Sequence, residues 1–386
     1  MITTINNKHK KLNVPNIRFP EFSGEWEEST IGEQFDLYSG NTPSRFNKEH
    51  FNGNVNWISS GELKEHYIYS SKEQISEEAA KNLKLLPIGT FVIAIYGLEA
   101  EGVRGTGSII KEPSTISQAC MSFISKGAIE NEFLYSWYKK HGNVIGIRYA
   151  QGTKQQNLSY DILESFKIAY PCTKEQKKLN KFITLLDERI ATQNKIIEEL
   201  KKLKSALSHI LFSSKCTNHL SYIANVVMGQ SPSSNAYNDQ GIGMPLVQGN
   251  LDISNGKTTP RLYTAEFNQT AEEGNIILTV RAPVGEVAKA TKKVCLGRGV
   301  CAIIPHEENM SDFIYQYLTF YKFMWRRYEQ GSTFTSINGS DVRNILCPEV
   351  RNVSILTLLD EKISTEERTV KLYQLQKLYM LYQMFI

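Results

Sequence analysis

No apolar run in this 386-residue sequence approaches the roughly 18–20 residues that cross a bilayer. A helical membrane protein is thereby disfavoured. Met1-Ile2-Thr3-Thr4-Ile5-Asn6-Asn7-Lys8 lacks the apolar core that follows the basic end of a secretory signal. A cytoplasmic location is expected. Cysteines are few: Cys120, Cys172, Cys216, Cys295, Cys301 and Cys347 form no C-x-x-C pair. Neither Cys295 nor Cys301 has His or Cys partners at zinc spacing, so free thiols and no metal site are expected. The phosphate-binding Gly-x4-Gly-Lys-(Ser/Thr) loop is missing. Gly256-Lys257-Thr258 has Leu251 where its first glycine belongs. Gly105-Thr106-Gly107 has Ile110 where a dinucleotide loop needs a third glycine. There is no Asn-Pro-Pro-Tyr or Asp-Pro-Pro-Tyr of an amino-methyltransferase. No Pro-Asp precedes Glu62-Leu63-Lys64 as in a nuclease, and there is no H-E-x-x-H. No catalytic residue and no cofactor are expected. Charge of one sign is also scarce. A net charge of +4 permits nucleic acid as a partner without requiring it.

The sequence does contain a copy of itself. Gly40-Asn41-Thr42-Pro43-Ser44 returns as Gly229-Gln230-Ser231-Pro232-Ser233, 189 positions on. Ser60-Gly61-Glu62-Leu63 returns as Gln248-Gly249-Asn250-Leu251, 188 on. Gly89-Thr90-Phe91-Val92-Ile93 returns as Gly274-Asn275-Ile276-Ile277-Leu278, 185 on. Gln151-Gly152-Thr153 returns as Gln330-Gly331-Ser332, 179 on. Leu185-Leu186-Asp187-Glu188-Arg189-Ile190 returns as Leu358-Leu359-Asp360-Glu361-Lys362-Ile363, 173 on. Order is kept and the offset falls, as in a diverged copy that has lost loop residues. Each copy exceeds a solenoid repeat of roughly 20–50 residues. It is a domain plus a helix.

Within each copy, β-rich runs such as Phe91–Tyr96 and Ile276–Val280 leave a glycine turn. Met121–Ile124 and Val300–Ile304 read as further strands, and helices are expected around 131–141 and 310–328. This is an α+β pattern. The end of each copy differs in kind. Lys174 to Phe212 contains neither Gly nor Pro. Its Ile183, Leu186, Ile190, Ile196, Leu200, Leu203, Leu207 and Ile210 recur at mostly three- and four-residue steps, a helical seam interrupted at Gln193. A rod of about 58 Å is expected. In the second copy Leu359, Ile363, Val370, Tyr373 and Met380 take matching phases, and Leu372, Leu375 and Leu378 widen the face. The helices stop at Phe212 and Phe385. An apolar stripe must be buried, and the partner of like period is the other helix. The expected architecture is two similar α/β domains, residues 1–173 and 213–350, separated by helices 174–212 and 351–386. The helices would form an antiparallel coiled coil about a pseudo-two-fold axis. Ile183, Leu186, Ile190 and Leu200 would pair with Leu359, Ile363 and Val370.

The sequence resembles the specificity subunit of type I restriction–modification systems. The resemblance is carried by Ile17-Arg18-Phe19-Pro20-Glu21-Phe22, by the Gly-x-x-Pro-Ser turn in both copies and by Trp57-Ile58-Ser59-Ser60-Gly61-Glu62-Leu63. It continues through Gln151–Leu158, Glu175-Gln176 and the doubled Leu-Leu-Asp-Glu-(Arg/Lys)-Ile motif. It implies two target recognition domains, each reading one half of a split site in double-stranded DNA. It also implies helices that set the gap and dock two modification subunits, with restriction subunits attached through those. Two departures stand out. Gln330-Gly331-Ser332-Thr333 lacks the Lys and Gln of the first copy, and Ser213–His219 has no Phe-Pro-Glu-Phe.

Guanine edges are read by Arg or Lys, adenine edges by Asn or Gln. Candidates in the first domain are Arg104, in a glycine-rich loop, and the cluster Arg148, Lys154, Gln155, Gln156 and Asn157. Those in the second are Arg281, Arg298, Arg326 and Arg327, with Gln248 and Asn250 as amides. Diverged domains predict an asymmetric bipartite target. A free-standing tandem-domain DNA-binding regulator and a coiled-coil scaffold for protein or sugar are the competing readings.

Overall fold

The computed structural model of the chain describes residues 13–99, 102–152, 156–216, 218–327 and 336–386, with backbone alone at Phe323, Arg326 and Arg327. Two compact units form: Met1–Thr192 with Thr369–Ile386, and Gln193–Arg368. Each long helix contributes residues to both.

In the first unit, strand Phe91–Ala94 runs antiparallel between Cys120–Ser125 and Gly107–Ile110. Phe35–Ser39 and Tyr67–Ile68 complete a five-stranded sheet. A three-stranded sheet sets Val55–Ile58 between Glu73–Ile75 and Ser114–Ile116. All of Phe91–Ala94 is buried, since both its faces are covered. Phe91 and Ile93 pack with Phe133 and Tyr138 of helix Asn131–Tyr149. Val92 and Ala94 pack with Ile58, Ile110 and Ile116. An alternating strand lined with apolar groups on each side produces such an unbroken run. The second unit repeats the plan. Ile276 and Leu278 of strand Ile276–Thr279 pack with Phe313 and Tyr317, and Ile277 packs with Val247 and Leu296.

The duplication is legible bond by bond. Phe91 pairs with Phe123 and Ile109, as Ile276 does with Ile303 and Lys289. Gly40 N–H donates to Cys120 O at 3.2 Å, and Gly229 N–H to Val300 O at 3.0 Å. Leu158 N–H donates to Ile95 O at 2.9 Å, and Ile337 N–H to Val280 O at 3.0 Å. One expected correspondence shifts. Ile58 faces Ile116 as Val247 faces Leu296, so Ser59 rather than Ser60 matches Gln248. The second unit then carries one extra residue in the following turn, and the offset there rises to 190. Gly61 and Gly249 are neighbours in pattern but not in register.

The long helices are Thr173–Phe212 and Ser354–Met384. The first begins at a fixed point. Arg18 Nε and Nη2 donate to Glu175 at 2.8 and 2.7 Å, and the Glu175 side chain is 1% exposed. Gln176 Nε2 donates to Ala128 O and Pro171 O, both at 2.8 Å, while its Oε1 accepts from Glu130 N–H. Each unit closes on a matching phenylalanine. Phe385 lies 5.1 Å from Phe133, and Phe212 lies 5.9 Å from Phe313.

In each unit the two helix segments run antiparallel. Asp187 meets Lys377 and Arg189 meets Tyr373 in the first. Gln193 meets Glu366 and Lys204 meets Asp360 in the second. Of the expected pairing residues, Ile183, Leu186, Leu359, Ile363 and Val370 are buried, while Ile190 and Leu200 are half-buried. The expected seam fails further along. Ile196, Leu203 and Ile210 are exposed and Ile197 is buried instead. Leu372, Leu375 and Leu378 are also exposed. The polar Gln193–Glu366 contact occupies the seam, which keeps its heptad steps through Ile190, Gln193, Ile197 and Leu200, so Ile196, Leu203 and Ile210 lie beside it.

In the first unit His66 joins the sheet, helix Asn131–Tyr149 and both long helices. Its ring stacks 4.0 Å from both Tyr67 and Tyr135. Nε2 lies 2.8 Å from Glu132, and Nδ1 lies 3.2 Å from Asp187, which also holds Lys377 at 2.5 Å. Burial alone would lower its pKa, but the Asp187 and Glu132 carboxylates beside the ring carry it above the usual 6.5. A raised folded-state pKa contributes stability below the unfolded value, lost as pH rises through the folded one. Urea unfolding of the full chain should therefore show the first unit weakening from pH 6 towards 8. His66→Gln should flatten that dependence; an unchanged slope would count against the charged imidazole.

Candidate nucleic-acid interface

In the second unit, strand topology gathers the candidates. Met244–Val247 and Val294–Leu296 run parallel, so they end on the same edge. Gln248 follows the first and Arg298 the second. Val280 N–H donates to Gly299 O at 2.9 Å, which brings Arg281 alongside. A Cβ at Gly299 would run into the Gln248 carbonyl, so glycine permits the close approach. The result is a cleft of about 320 Å³ whose lining includes Gln248, Asn250, Arg261, Arg281 and Arg298. Arg281 and Arg298 are exposed.

Asp252 organises this edge from beneath. Its side chain is 4% exposed; Oδ2 accepts Gln248 N–H at 2.8 Å and Oδ1 accepts Arg261 Nε at 3.0 Å. Arg298 N–H donates to Ser231 Oγ at 3.1 Å, which ties the Gly229–Ser233 turn to the same wall. The cleft therefore presents three guanidinium groups and two amides on a hydrogen-bonded frame. That combination suits guanine and adenine edges and the phosphates beside them.

Sequence reasoning placed Gln248, Asn250, Arg281 and Arg298 and missed Arg261. The copy comparison held the signal. Trp57 faces Glu73 as Leu246 faces Leu262, so Arg261 matches Lys72. Lys72 also meets its turn carboxylate, but through main chain, its backbone N–H donating to Glu62 Oε2 at 2.6 Å. A basic residue thus adjoins the turn carboxylate in both units.

The first unit keeps the frame and changes what it displays. The counterparts of Gln248, Arg281 and Arg298 are Ser59, Tyr96 and Gln118. Its expected residues come from other positions, with Asn157 paired to Tyr96. Arg104 Nη2 donates to Gln156 Oε1 at 3.3 Å, and Gln156 N–H donates to Glu99 at 2.8 Å. The Arg104 side chain passes over Gly146, where any Cβ would collide with it. Asn157 closes the loop by exchanging backbone hydrogen bonds with Gln151. Arg148 stands apart from this group. It is about 200° further round the helix than Gly146 and lines a separate cavity with Trp137, His141 and Phe166. Lys154 and Gln155 lie outside the described residues, and so do the side chains of Arg326 and Arg327. Among the described residues no cluster could hold a metal, and no helix is long and apolar enough to cross a membrane.

Two copies of one mixed fold, each offering a polar strand edge, define a tandem recognition protein. Residues 23–202 and 217–371 match the type I restriction modification DNA specificity domain, and the chain belongs to that family. A candidate type I restriction enzyme MjaX specificity subunit from Methanocaldococcus jannaschii is 30% identical over 231 residues, 54% of each chain. An Escherichia coli type I restriction enzyme specificity subunit is 31% identical over 205 residues, 51% of this chain and 49% of the relative. These matches span about half the length of the curated relatives. The crystal structure of a type I restriction–modification S subunit from M. genitalium shares the fold with a TM-score of 0.62. That comparison covers 97% of this chain and 99% of the other at 18% identity.

Proposed function

We propose that this chain is the DNA-reading subunit of a type I restriction–modification complex, each unit reading one half of an asymmetric bipartite site. The observation that carries the reading is the repeated frame with altered display. Strand registers match between the units while Ser59, Tyr96 and Gln118 replace Gln248, Arg281 and Arg298. Equal frames suit the same task, and unequal edges suit different bases. The long helices set the gap and dock two modification subunits, through which restriction subunits attach. Exposed apolar residues support docking: Ile196, Leu203 and Ile210 at heptad spacing on the first helix, and Leu372, Leu375, Tyr379 and Tyr382 on the second. Methyl transfer and cleavage belong to the partners.

The test is a genome-wide map of adenine methylation with and without the gene. One bipartite motif should vanish with it. Replacing residues 213–350 by those of a relative should change one half of that motif alone. A change in both halves, or a motif that persists, would defeat the proposal.

A further inference from the structure

Gly256 and His66 hold the same place in the two units. The Gly256 carbonyl accepts from Lys289 N–H at 2.9 Å, as the His66 carbonyl accepts from Ile109 N–H at 2.8 Å. The surrounding groups repeat as well. Asp312 stands for Glu132, Tyr315 for Tyr135, Asp360 for Asp187 and Lys204 for Lys377. Lys204 lies 2.5 Å from Asp360, and Lys377 lies 2.5 Å from Asp187. Lys289 pairs with Asp312, and Lys111 lies 3.8 Å from Glu132. The second unit lacks the imidazole, and Lys257 stands where Tyr67 covers the ring in the first.

In its place is a cleft of about 480 Å³ whose lining includes Asp312, Tyr315, Gln316, Thr357 and Asp360, and also the basic Lys257, Lys289 and Arg368. Gly256 adopts φ +68°, and a Cβ there would collide with the Tyr315 hydroxyl. The chain therefore cannot simply restore the missing ring from this position. Two polar atoms await partners. Gln316 is 3% exposed; its Nε2 donates to Asp360 Oδ2 at 2.7 Å, but its buried Oε1 has no hydrogen-bond partner. Thr357 Oγ1 is likewise buried and unpartnered. A buried acceptor without a donor is costly, and it marks where a donor belongs.

We propose that this cleft binds a planar cation supplied from outside the chain, an arginine guanidinium above all, where the first unit uses its own His66. Two carboxylates and an unmet carbonyl acceptor match the five N–H donors of that group, and Tyr315, whose ring already has Lys289 Nζ 5.5 Å from its centroid, meets its flat face. Each carboxylate already touches one lysine, as in the first unit, where a third cation still fits between them. The guanidinium belongs to an arginine side chain of a protein docked on the helices. That source rests on the docking part of the reading above.

The test is calorimetric titration of the full chain with N-acetyl-arginine amide, with a crystal soaked in the same probe. Millimolar binding and density against Tyr315 are expected. The Asp312 side chain is 46% exposed, so Asp312→Asn should keep the fold, which a thermal melt checks. That variant should bind at least fivefold more weakly, and the neutral citrulline amide should not bind. Equal binding of citrulline amide, unchanged affinity in the variant or no binding at all overturns the site. Weakened association of a purified modification subunit with the variant supports a docked arginine. Unchanged association, or micromolar binding of the free amide, overturns that source in favour of a free ligand. Half-site letters are read separately by methylation mapping, so failure here leaves the DNA reading untouched.

Discussion

Arg281→Ala with Arg298→Ala is expected to weaken specific DNA binding about 10²- to 10⁴-fold, with the fold intact. A bidentate arginine contact to a base is worth roughly 1–3 kcal/mol of discrimination, and two such contacts compound. Both side chains are exposed, and the backbone bonds that build the cleft survive truncation. Arg298 meets Ser231 through its N–H, and Val280 holds Gly299 through main chain. The single variants separate two roles. If Arg281 reads a base, Arg281→Ala relaxes one letter in one half-site and leaves the other half strict. If it contacts phosphate, binding weakens across all sequences and the salt dependence loses about one charge. Binding assayed in the assembled complex at several salt concentrations distinguishes these. Full affinity and an unchanged motif in the double variant would remove the cleft from the interface.

The Arg261 case points the same way. Asp252 accepts from both Arg261 and the Gln248 backbone. Asp252→Ala should free the turn as well as the arginine. Its effect on DNA binding should therefore exceed that of Arg261→Ala, while Arg261→Lys should recover part of the loss.

Much of the fold was legible because two signals were long-range and redundant. The duplication needed only ordered matches, and the Gly- and Pro-free run 174–212 needed only composition. Helix Thr173–Phe212 begins one residue from its expected start. The phase of the helix seam was not legible throughout. Ile196 and Ile197 are both apolar, and only Ile197, seven residues after Ile190, keeps the heptad row that faces inward. The cleft was half legible for a similar reason. Arg281 follows, and Arg298 precedes, a strand that reads clearly. Arg261 immediately precedes a short strand, Leu262–Thr264, whose pairing with Met244–Val247 no local pattern announces. The extra residue between Gln248 and Asp252 hid the register further, since a glycine in each copy suggested the wrong alignment. Arg148 shows the reverse error. Proximity in sequence to Gln156 suggested one cluster, but helix Asn131–Tyr149 turns Arg148 away from Arg104.

The second large effect concerns the gap rather than the letters. A four-residue insertion adds about 6 Å to a helix, against about 3.4 Å per base-pair step of DNA. An insertion in one helix alone would set Lys204 against the wrong partner, because Lys204 holds Asp360 and Lys201 holds Glu367 across the pair. The insertion is therefore made in both, after Lys195 and after Arg368, where the facing segments can lengthen together. Four residues overshoot one helical turn by about 40°, a rotation the seam near Gln193 absorbs most easily because polar groups already interrupt it. The expected motif keeps both half-sites and gains one or two unspecified base pairs between them. Neither unit's recognition edge changes a residue, so no letter has cause to change. Methylation mapping of the double-insertion strain reads letters and gap in one measurement. Altered letters with the old gap would mean that the helices do not set the distance.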